Sequence, residues 1–176
     1  MSTDRIARKL LPFIALTSCL VAVAPTPVRA DGLPGFTLFS GVDPGNQLSY
    51  RLDSGNRNES DRYRLKIPGS KINSIGAAQI QILYPEYYKG QFDEKNVEIF
   101  VGDKSIPVKA VKWDRAQRSL QIDLDKQLRT KGEIEVVLNN VKNPDGSGMY
   151  YFDCLVKSSP EFPLARKIGT WILSID

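Results

Sequence analysis

The sequence predicts an all-β protein: a single antiparallel β-sandwich, immunoglobulin-like, with no disulfide. Short runs of alternating apolar and polar residues recur about every 8 to 12 residues, with turn residues between them. Beyond residue 30, no segment shows a convincing 3.6-residue apolar period of a helix. Cys154 is the only cysteine in residues 31–176, so this segment cannot form an internal disulfide. The same residue stands between apolar neighbours, which is typical of a buried small side chain.

The first four strands are predicted from this alternation. Residues 48–52 (LSYRL) and 62–67 (RYRLKI) place basic residues between apolar ones, and the polar stretch 53–61 between them is a loop. Residues 78–82 (AQIQI) end at a tyrosine–proline pair, and residues 97–101 (VEIFV) end at a glycine–aspartate turn. These strands fit antiparallel sheets that have one face in water.

The remaining five strands follow in the second half of the chain. Residues 108–113 and 120–124 flank a short polar turn and form a predicted pair. Residues 134–138 (IEVVL) are strongly β-branched. Residues 150–156 and 170–175 complete the set. The inward-facing positions form one predicted core: Tyr63, Leu65, Ile67, Ile80, Ile82, Ile99, Val101, Leu120, Ile122, Leu124, Val136, Leu138, Tyr150, Phe152 and Trp171.

Residues 1–30 have the composition of an export signal peptide. Arg5, Arg8 and Lys9 form a basic start, residues 10–24 are apolar, and residues 28–30 (Val-Arg-Ala) form a small-x-small cleavage site. The apolar run is short for a transmembrane helix, which needs about 20 residues. We therefore expect cleavage after residue 30 and export from the cytoplasm.

Cys19 supports a second interpretation of the same segment. Residues 16–19 (Leu-Thr-Ser-Cys) have the form of a bacterial lipoprotein cleavage site, where Cys19 would carry a lipid anchor. However, the apolar run continues past Cys19, whereas a lipoprotein tether is usually polar there. The sequence favours cleavage after Ala30 and leaves the lipid anchor as the alternative.

The remainder divides into a lead-in segment, residues 31–47, and the β-sandwich domain, residues 48–176. We expect no transmembrane span in this part of the chain. Signal cleavage would remove four basic residues and one acidic residue, lowering the net charge from +4 to about +1. Nucleic acid binding depends on neutralising several phosphates, so we expect no nucleic acid partner.

The residue types present exclude several kinds of catalysis. The sequence has no histidine, which removes Ser-His-Asp and Cys-His catalysis and imidazole metal ligands. Phosphate-loop and Ser-x-x-Lys motifs are absent as well. We therefore expect a protein that is not an enzyme and that has no metal and no cofactor.

Two carboxylate pairs leave a hydrolase as a remote alternative. Asp123 with Asp125, and Glu133 with Glu135, each stand two residues apart and share one face of a predicted strand, about 7 Å apart. Paired carboxylates serve glycoside hydrolysis, but the simpler interpretation is the solvated face of a strand.

A basic stripe is the first candidate binding surface. Arg51, Arg62, Arg64 and Lys66 alternate along one side of two early strands. Such a stripe can attract an acidic partner, or it can be neutralised by acidic residues on neighbouring strands.

Three tyrosines form the second candidate surface. Tyr84, Tyr87 and Tyr88 cluster beside Pro85 and Gly90 in a predicted loop. Exposed tyrosines in a loop suit contact with a protein or a sugar, whereas buried ones would close the end of the sandwich.

Five motifs in order carry a family resemblance: LSYRL at 48–52, DRYRLKIP at 61–68, YP with YKG at 84–90, NVKNP with GMYYF at 140–152 and GTWIL at 169–173. Together they resemble a cyanobacterial family of exported proteins known only as domain of unknown function 2808. The resemblance implies a periplasmic or thylakoid-lumen protein and brings no catalytic residues.

The leading functional hypothesis is a non-enzymatic protein-interaction or envelope-associated module. The compartment expected is the periplasm, with the thylakoid lumen or the extracellular space as alternatives. Its partner would be an envelope or lumenal protein, or a glycan. The alternative is a carbohydrate or cell-wall binding module that uses Tyr84, Tyr87 and Tyr88.

Overall fold

The computed structural model describes residues 42–159 and 164–176. The expected signal peptide, Cys19 and most of the lead-in segment lie outside these residues. The described residues form ten strands and no α-helix: β1 Tyr50–Leu52, β2 Ser60–Ile67, β3 Ala77–Leu83, β4 Val97–Val101, β5 Lys104–Ile106, β6 Val108–Asp114, β7 Ser119–Leu128, β8 Ile134–Lys142, β9 Gly148–Lys157 and β10 Arg166–Ile175. Two short 3₁₀ turns, Pro44–Asn46 and Gly69–Lys71, accompany them.

The ten strands pack as two five-stranded sheets. The first sheet has the order β1-β2-β8-β4-β5 and the second the order β10-β9-β3-β7-β6. Every pairing between strands is antiparallel. The chain crosses repeatedly from one sheet to the other, so each sheet contains strands from both halves of the domain. The predicted antiparallel, immunoglobulin-like β-sandwich is therefore confirmed.

Each predicted strand has a counterpart in the structure, and one short strand, β5, was not predicted. Three residues are too few to show alternation, and β5 is defined by its pairing with β4, in which Ile106 lies opposite Ile99. The first predicted strand is shortened to Tyr50–Leu52 because Leu48 lies outside the strand and bonds to the other sheet. Its backbone N–H donates to the carbonyl of Thr170 in β10 at 2.9 Å. The chain therefore enters along one sheet and continues into the other.

The core lies between the sheets, as the alternation predicts. All fifteen predicted core residues are buried except Val101, which is partly buried beside the edge strand β5. Trp171 is fully buried, and its indole N–H donates to the Lys66 carbonyl at 3.1 Å, which joins the two sheets. Burying an apolar side chain of this size contributes several kcal/mol, about 25 cal/mol per Å² of apolar surface.

Cys154 is buried in this core and has no disulfide partner among the described residues. Burial raises the pKa of its thiol, which keeps it protonated. The interpretation of Cys154 as a small buried side chain is confirmed. In the part of the chain that the structure describes, no helix has the length and apolar character needed to cross a membrane.

Candidate functional site

A buried polar network holds the loops at one end of the sandwich. Its centre is the Asp61 carboxylate, in a residue only 6% exposed. The carboxylate accepts five hydrogen bonds of 2.7–3.1 Å, from the backbone N–H groups of Asp53, Ser54, Gly55 and Arg62 and from the side-chain amide of Asn143. Burial raises the pKa of Asp61, but the N–H donors outweigh it and hold that pKa below the ordinary value.

The network continues into the core through Asn143. The Tyr63 hydroxyl donates to the Asn143 side-chain oxygen at 2.5 Å and lies 3.1 Å from the Tyr88 hydroxyl. Asn143 also donates to the Asn56 carbonyl at 2.7 Å. Buried polar groups need such partners, so the network ties the loop before β2 to the loop that contains Tyr88.

The loop of residues 84–92 closes this end of the sandwich with an aromatic cluster. Tyr84 and Tyr88 are 8% and 3% exposed, and their rings pack against Phe92 and Phe152 at centroid distances of 4.9–6.0 Å. Gly90 permits the close approach, since a Cβ there would lie 2.7 Å from the Lys142 carbonyl oxygen and would clash with the Tyr88 ring. Only one of the three predicted tyrosines, Tyr87, is exposed.

Tyr87 lies in a surface that we call the tyrosine patch: Tyr87, Met149 and Tyr151. Their exposed fractions are 56%, 62% and 42%. The Tyr87 ring stacks on Tyr150 at 5.5 Å, and its hydroxyl donates to the Met149 carbonyl at 3.4 Å. Because Met149 and Tyr151 are two residues apart on β9, their side chains share the outer face of the second sheet.

A second surface at the same end is an open depression of about 320 Å³ that we call the arginine depression. Its lining includes three cations, Lys89, Arg115 and Arg118, together with the Trp113 ring. The Arg115 guanidinium lies over this ring, 4.1 Å from its centroid. The indole N–H of Trp113 donates to the Tyr84 hydroxyl at 2.7 Å, which attaches the ring to the aromatic cluster.

Arg118 has an uncommon backbone conformation in the hairpin turn between β6 and β7. Its φ of 51° lies in the left-handed region, which costs a residue with a Cβ about 1 kcal/mol. Its carbonyl accepts the Tyr84 N–H at 3.1 Å. Glycine would fit this position without strain, yet an arginine occupies it and lines the depression.

The basic stripe faces water on the first sheet and is largely paired with carboxylates. Arg64 contacts Glu135 at 3.1 Å, and Lys66 contacts Glu133 at 2.8 Å. Arg62 and Arg64 also lie 3.9 and 3.6 Å from Asp53. Glu133 and Glu135 are the second carboxylate pair of the sequence: Glu135 lies opposite Lys66 in the register of β2 and β8, and Glu133 stands directly before β8.

Lys66→Gln is expected to change the unfolding free energy by less than about 1 kcal/mol, because this ion pair is partly exposed. The Glu133 carboxylate raises the pKa of Lys66, so any stabilisation is present below about pH 10 and is lost as the pH rises further. Urea unfolding at pH 7 and at pH 11 measures both effects. A loss above 2 kcal/mol at pH 7 would contradict the expectation.

The other carboxylate pair, Asp123 and Asp125, lines neither the arginine depression nor the depression beside Asp61. Asp123 accepts a hydrogen bond from the Gln79 amide at 2.6 Å, and Asp125 is exposed.

Another depression, of about 310 Å³ and separate from the arginine depression, lies beside Asp61, Arg62 and Asn139. Among residues 42–159 and 164–176, no group of three histidine, cysteine or acidic side chains is arranged to hold a metal ion.

Both surfaces contain residues that the sequence pattern did not identify: Met149 and Tyr151 in one, and Trp113, Arg115 and Arg118 in the other. Met149 has the position of an ordinary outward-facing strand residue. A signal for the depression was available, because Trp113 and Arg115 stand two apart where a strand meets a turn. The sequence could not show which loop faces that turn.

Comparison with known proteins gives a family and several distant structural similarities. A family model described as Protein of unknown function (DUF2808) matches residues 36–175. No match was found among curated proteins.

Three solved structures illustrate the structural similarities. BslA, a bacterial hydrophobin, is 15% identical, with a TM-score of 0.45 over 74% of this chain and 98% of that one. The collagen-binding domain of a Staphylococcus aureus adhesin is 10% identical, with a TM-score of 0.39 over 73% and 95%. An uncharacterised Nocardia farcinica protein with an immunoglobulin-like fold is 9% identical, with a TM-score of 0.40 over 73% and 97%. At these TM-scores the similarities identify neither a ligand nor a partner.

Proposed function

The chain belongs to the family described as Protein of unknown function (DUF2808), and we propose that it is an exported, non-enzymatic interaction module of the cell envelope. We further propose that it contacts a protein partner through the tyrosine patch. The proposal of export rests on the signal-peptide composition of residues 1–30, and the periplasm is the compartment expected.

The observation that carries the partner contact is the exposure of the tyrosine patch. Two aromatic rings and a methionine lie side by side in water, with 42–62% of each residue exposed. Tyrosine and methionine are enriched in protein interfaces, where they bury a large area. The Tyr87 ring stacks on Tyr150, so its side chain has little conformational entropy to lose on binding.

The proposal of a non-enzymatic role rests on the residues available for chemistry. The chain has no histidine, and burial keeps the Cys154 thiol protonated. Asp61 accepts five hydrogen bonds from protein donors, and Glu133 and Glu135 pair with Lys66 and Arg64. None of these groups is arranged as a nucleophile beside a base.

Site-specific photo-crosslinking in cells tests the patch. A photoreactive side chain at Tyr87, Met149 or Tyr151 is expected to yield one shared adduct, identified by mass spectrometry. The matched control is Lys112, an exposed residue on β6, which is three strands from β9 in the same sheet. Adducts that are equal at Lys112, or absent at all three patch positions, would overturn the proposal.

The carbohydrate alternative at Tyr84, Tyr87 and Tyr88 stays a prediction. Sugar stacking needs an open aromatic face, and Tyr84 and Tyr88 are 8% and 3% exposed. Tyr87 is therefore the ring of this group with a large accessible surface.

A further inference from the structure

We propose that the arginine depression is a binding site for an acidic polysaccharide whose sugars carry carboxylates. The depression shares no residue with the tyrosine patch, so the two surfaces are tested by different variants.

Unpaired positive charge is the first observation. Lys89, Arg115 and Arg118 are all exposed and line one depression. Among residues 42–159 and 164–176, no carboxylate lies within 4.0 Å of their charged nitrogens, whereas Arg62, Arg64 and Lys66 of the basic stripe each have one. Three neighbouring cations that no carboxylate contacts directly, beside the single carboxylate of Glu86, leave the depression with a net positive charge and favour an anionic ligand.

The Arg115 guanidinium and the Arg118 backbone are also held in place before any ligand binds. The Trp113 ring lies under the Arg115 guanidinium. This ring is fixed by its hydrogen bond to Tyr84 and by a T-shaped contact with Phe92, with the ring centroids 5.5 Å apart. Stacking covers one face of a guanidinium and leaves its N–H edges free, which match the two oxygens of a carboxylate. Arg118 is fixed through its backbone by the Tyr84 N–H.

The other polar groups of the lining point to a sugar rather than to an acidic peptide. Glu86 and Gln91 lie in the same depression as the three cations. The Glu86 carboxylate and the Gln91 amide oxygen accept hydrogen bonds from sugar hydroxyls, whereas the ionised side chains of an acidic peptide have no hydrogen to donate to them. Both kinds of contact suit a ligand with carboxylates and hydroxyls together.

The same geometry argues against single-stranded nucleic acid. Base recognition in such complexes relies on open aromatic faces, whereas Arg115 covers one face of Trp113 and the other two rings of the lining, Tyr84 and Tyr88, are buried. The depression is open to solvent rather than enclosed, which suits a polymer chain that crosses the surface.

Titration calorimetry with polygalacturonate tests the site directly. The wild-type protein is expected to bind it at low salt, to bind more weakly at high salt, and not to bind its neutral methyl ester. Arg118→Gly and Arg115→Gln are each expected to weaken binding about fivefold or more. Lys109→Gln, an equal charge change at an exposed residue of β6 outside the depression, is expected to stay within about twofold.

Arg118→Gly also separates binding from folding. Glycine relieves the positive φ, so the thermal midpoint of this variant is expected to equal or exceed that of the wild type. The proposal is overturned by no binding of polygalacturonate, equal binding of the methyl ester, or an equal loss in Lys109→Gln. Tighter binding of poly-L-glutamate than of polygalacturonate would assign the site to an acidic peptide instead.

Discussion

Asp61→Asn is expected to lower the unfolding free energy by about 2 to 4 kcal/mol, measured by urea denaturation at pH 7. The carboxylate accepts five hydrogen bonds in a residue that is 6% exposed. An amide keeps one acceptor oxygen and turns its NH₂ group toward donors, which leaves buried N–H groups without partners. This loss is large compared with a total stability of about 5 to 15 kcal/mol.

The same substitution is expected to change the response to acid. Asp61 has a lowered pKa in the folded protein, so its stabilisation is present above the unfolded pKa near 4 and is lost as the pH falls through the folded value. Between about pH 5 and pH 2 the wild type should therefore lose stability more steeply than Asp61→Asn.

Asp53→Asn is the matched control, because Asp53 is an exposed carboxylate of the neighbouring loop. It is expected to cost less than about 1 kcal/mol. Equal losses in the two variants, or identical acid profiles of wild type and Asp61→Asn, would show that the buried network does not hold these loops.

Trp171→Ala is expected to lower the unfolding free energy by about 3 to 5 kcal/mol. The side chain is fully buried between the sheets, so its removal leaves a large cavity and breaks the indole hydrogen bond to the Lys66 carbonyl. Thermal and urea unfolding both measure the loss.

Two further variants define the origin of this effect. Trp171→Phe fills most of the cavity but lacks the donor, so an intermediate loss of about 1 to 3 kcal/mol is expected. Ile172→Ala, at the next position on the partly exposed outer face, is expected to cost about 1 kcal/mol. A loss in Trp171→Ala no greater than in Ile172→Ala would contradict the role of Trp171 in joining the sheets.

The core was predictable because burial on a strand follows a period of two residues. Tyr63, Leu65 and Ile67 alternate with Arg62, Arg64 and Lys66, and the structure buries the first set and exposes or half-buries the second. The strand β5 was not predictable, because three residues show no pattern and only the partner strand β4 defines them. The hydrogen bond of Leu48 to Thr170 of the second sheet is likewise a contact between distant residues.

The candidate surfaces were only partly predictable. Three tyrosines in one loop have the same local sequence signal, yet Tyr84 and Tyr88 are buried and Tyr87 is exposed. The difference depends on Phe152 of β9 and on the Tyr63 hydroxyl of β2, which attract two of the three side chains into the core. For the basic stripe the sequence showed the cations but not their partners: Glu135 reaches Arg64 through the pairing of β2 with β8, and Asp53 reaches Arg62 and Arg64 from the loop after β1.

The amino-acid sequence by itself determined the fold class, the inward faces of the strands, the expectation of export and the exclusion of histidine chemistry. These properties depend on composition and on local periodicity, which the chain carries without reference to distant contacts. Only the tertiary structure decided which cations are neutralised and which are free. Glu135 lies beside Arg64 because β8 pairs with β2, whereas Lys89, Arg115 and Arg118 meet because a loop and a hairpin turn converge at one end of the sandwich. Contacts between residues far apart in the chain depend on strand order and register, and no local sequence pattern indicates them.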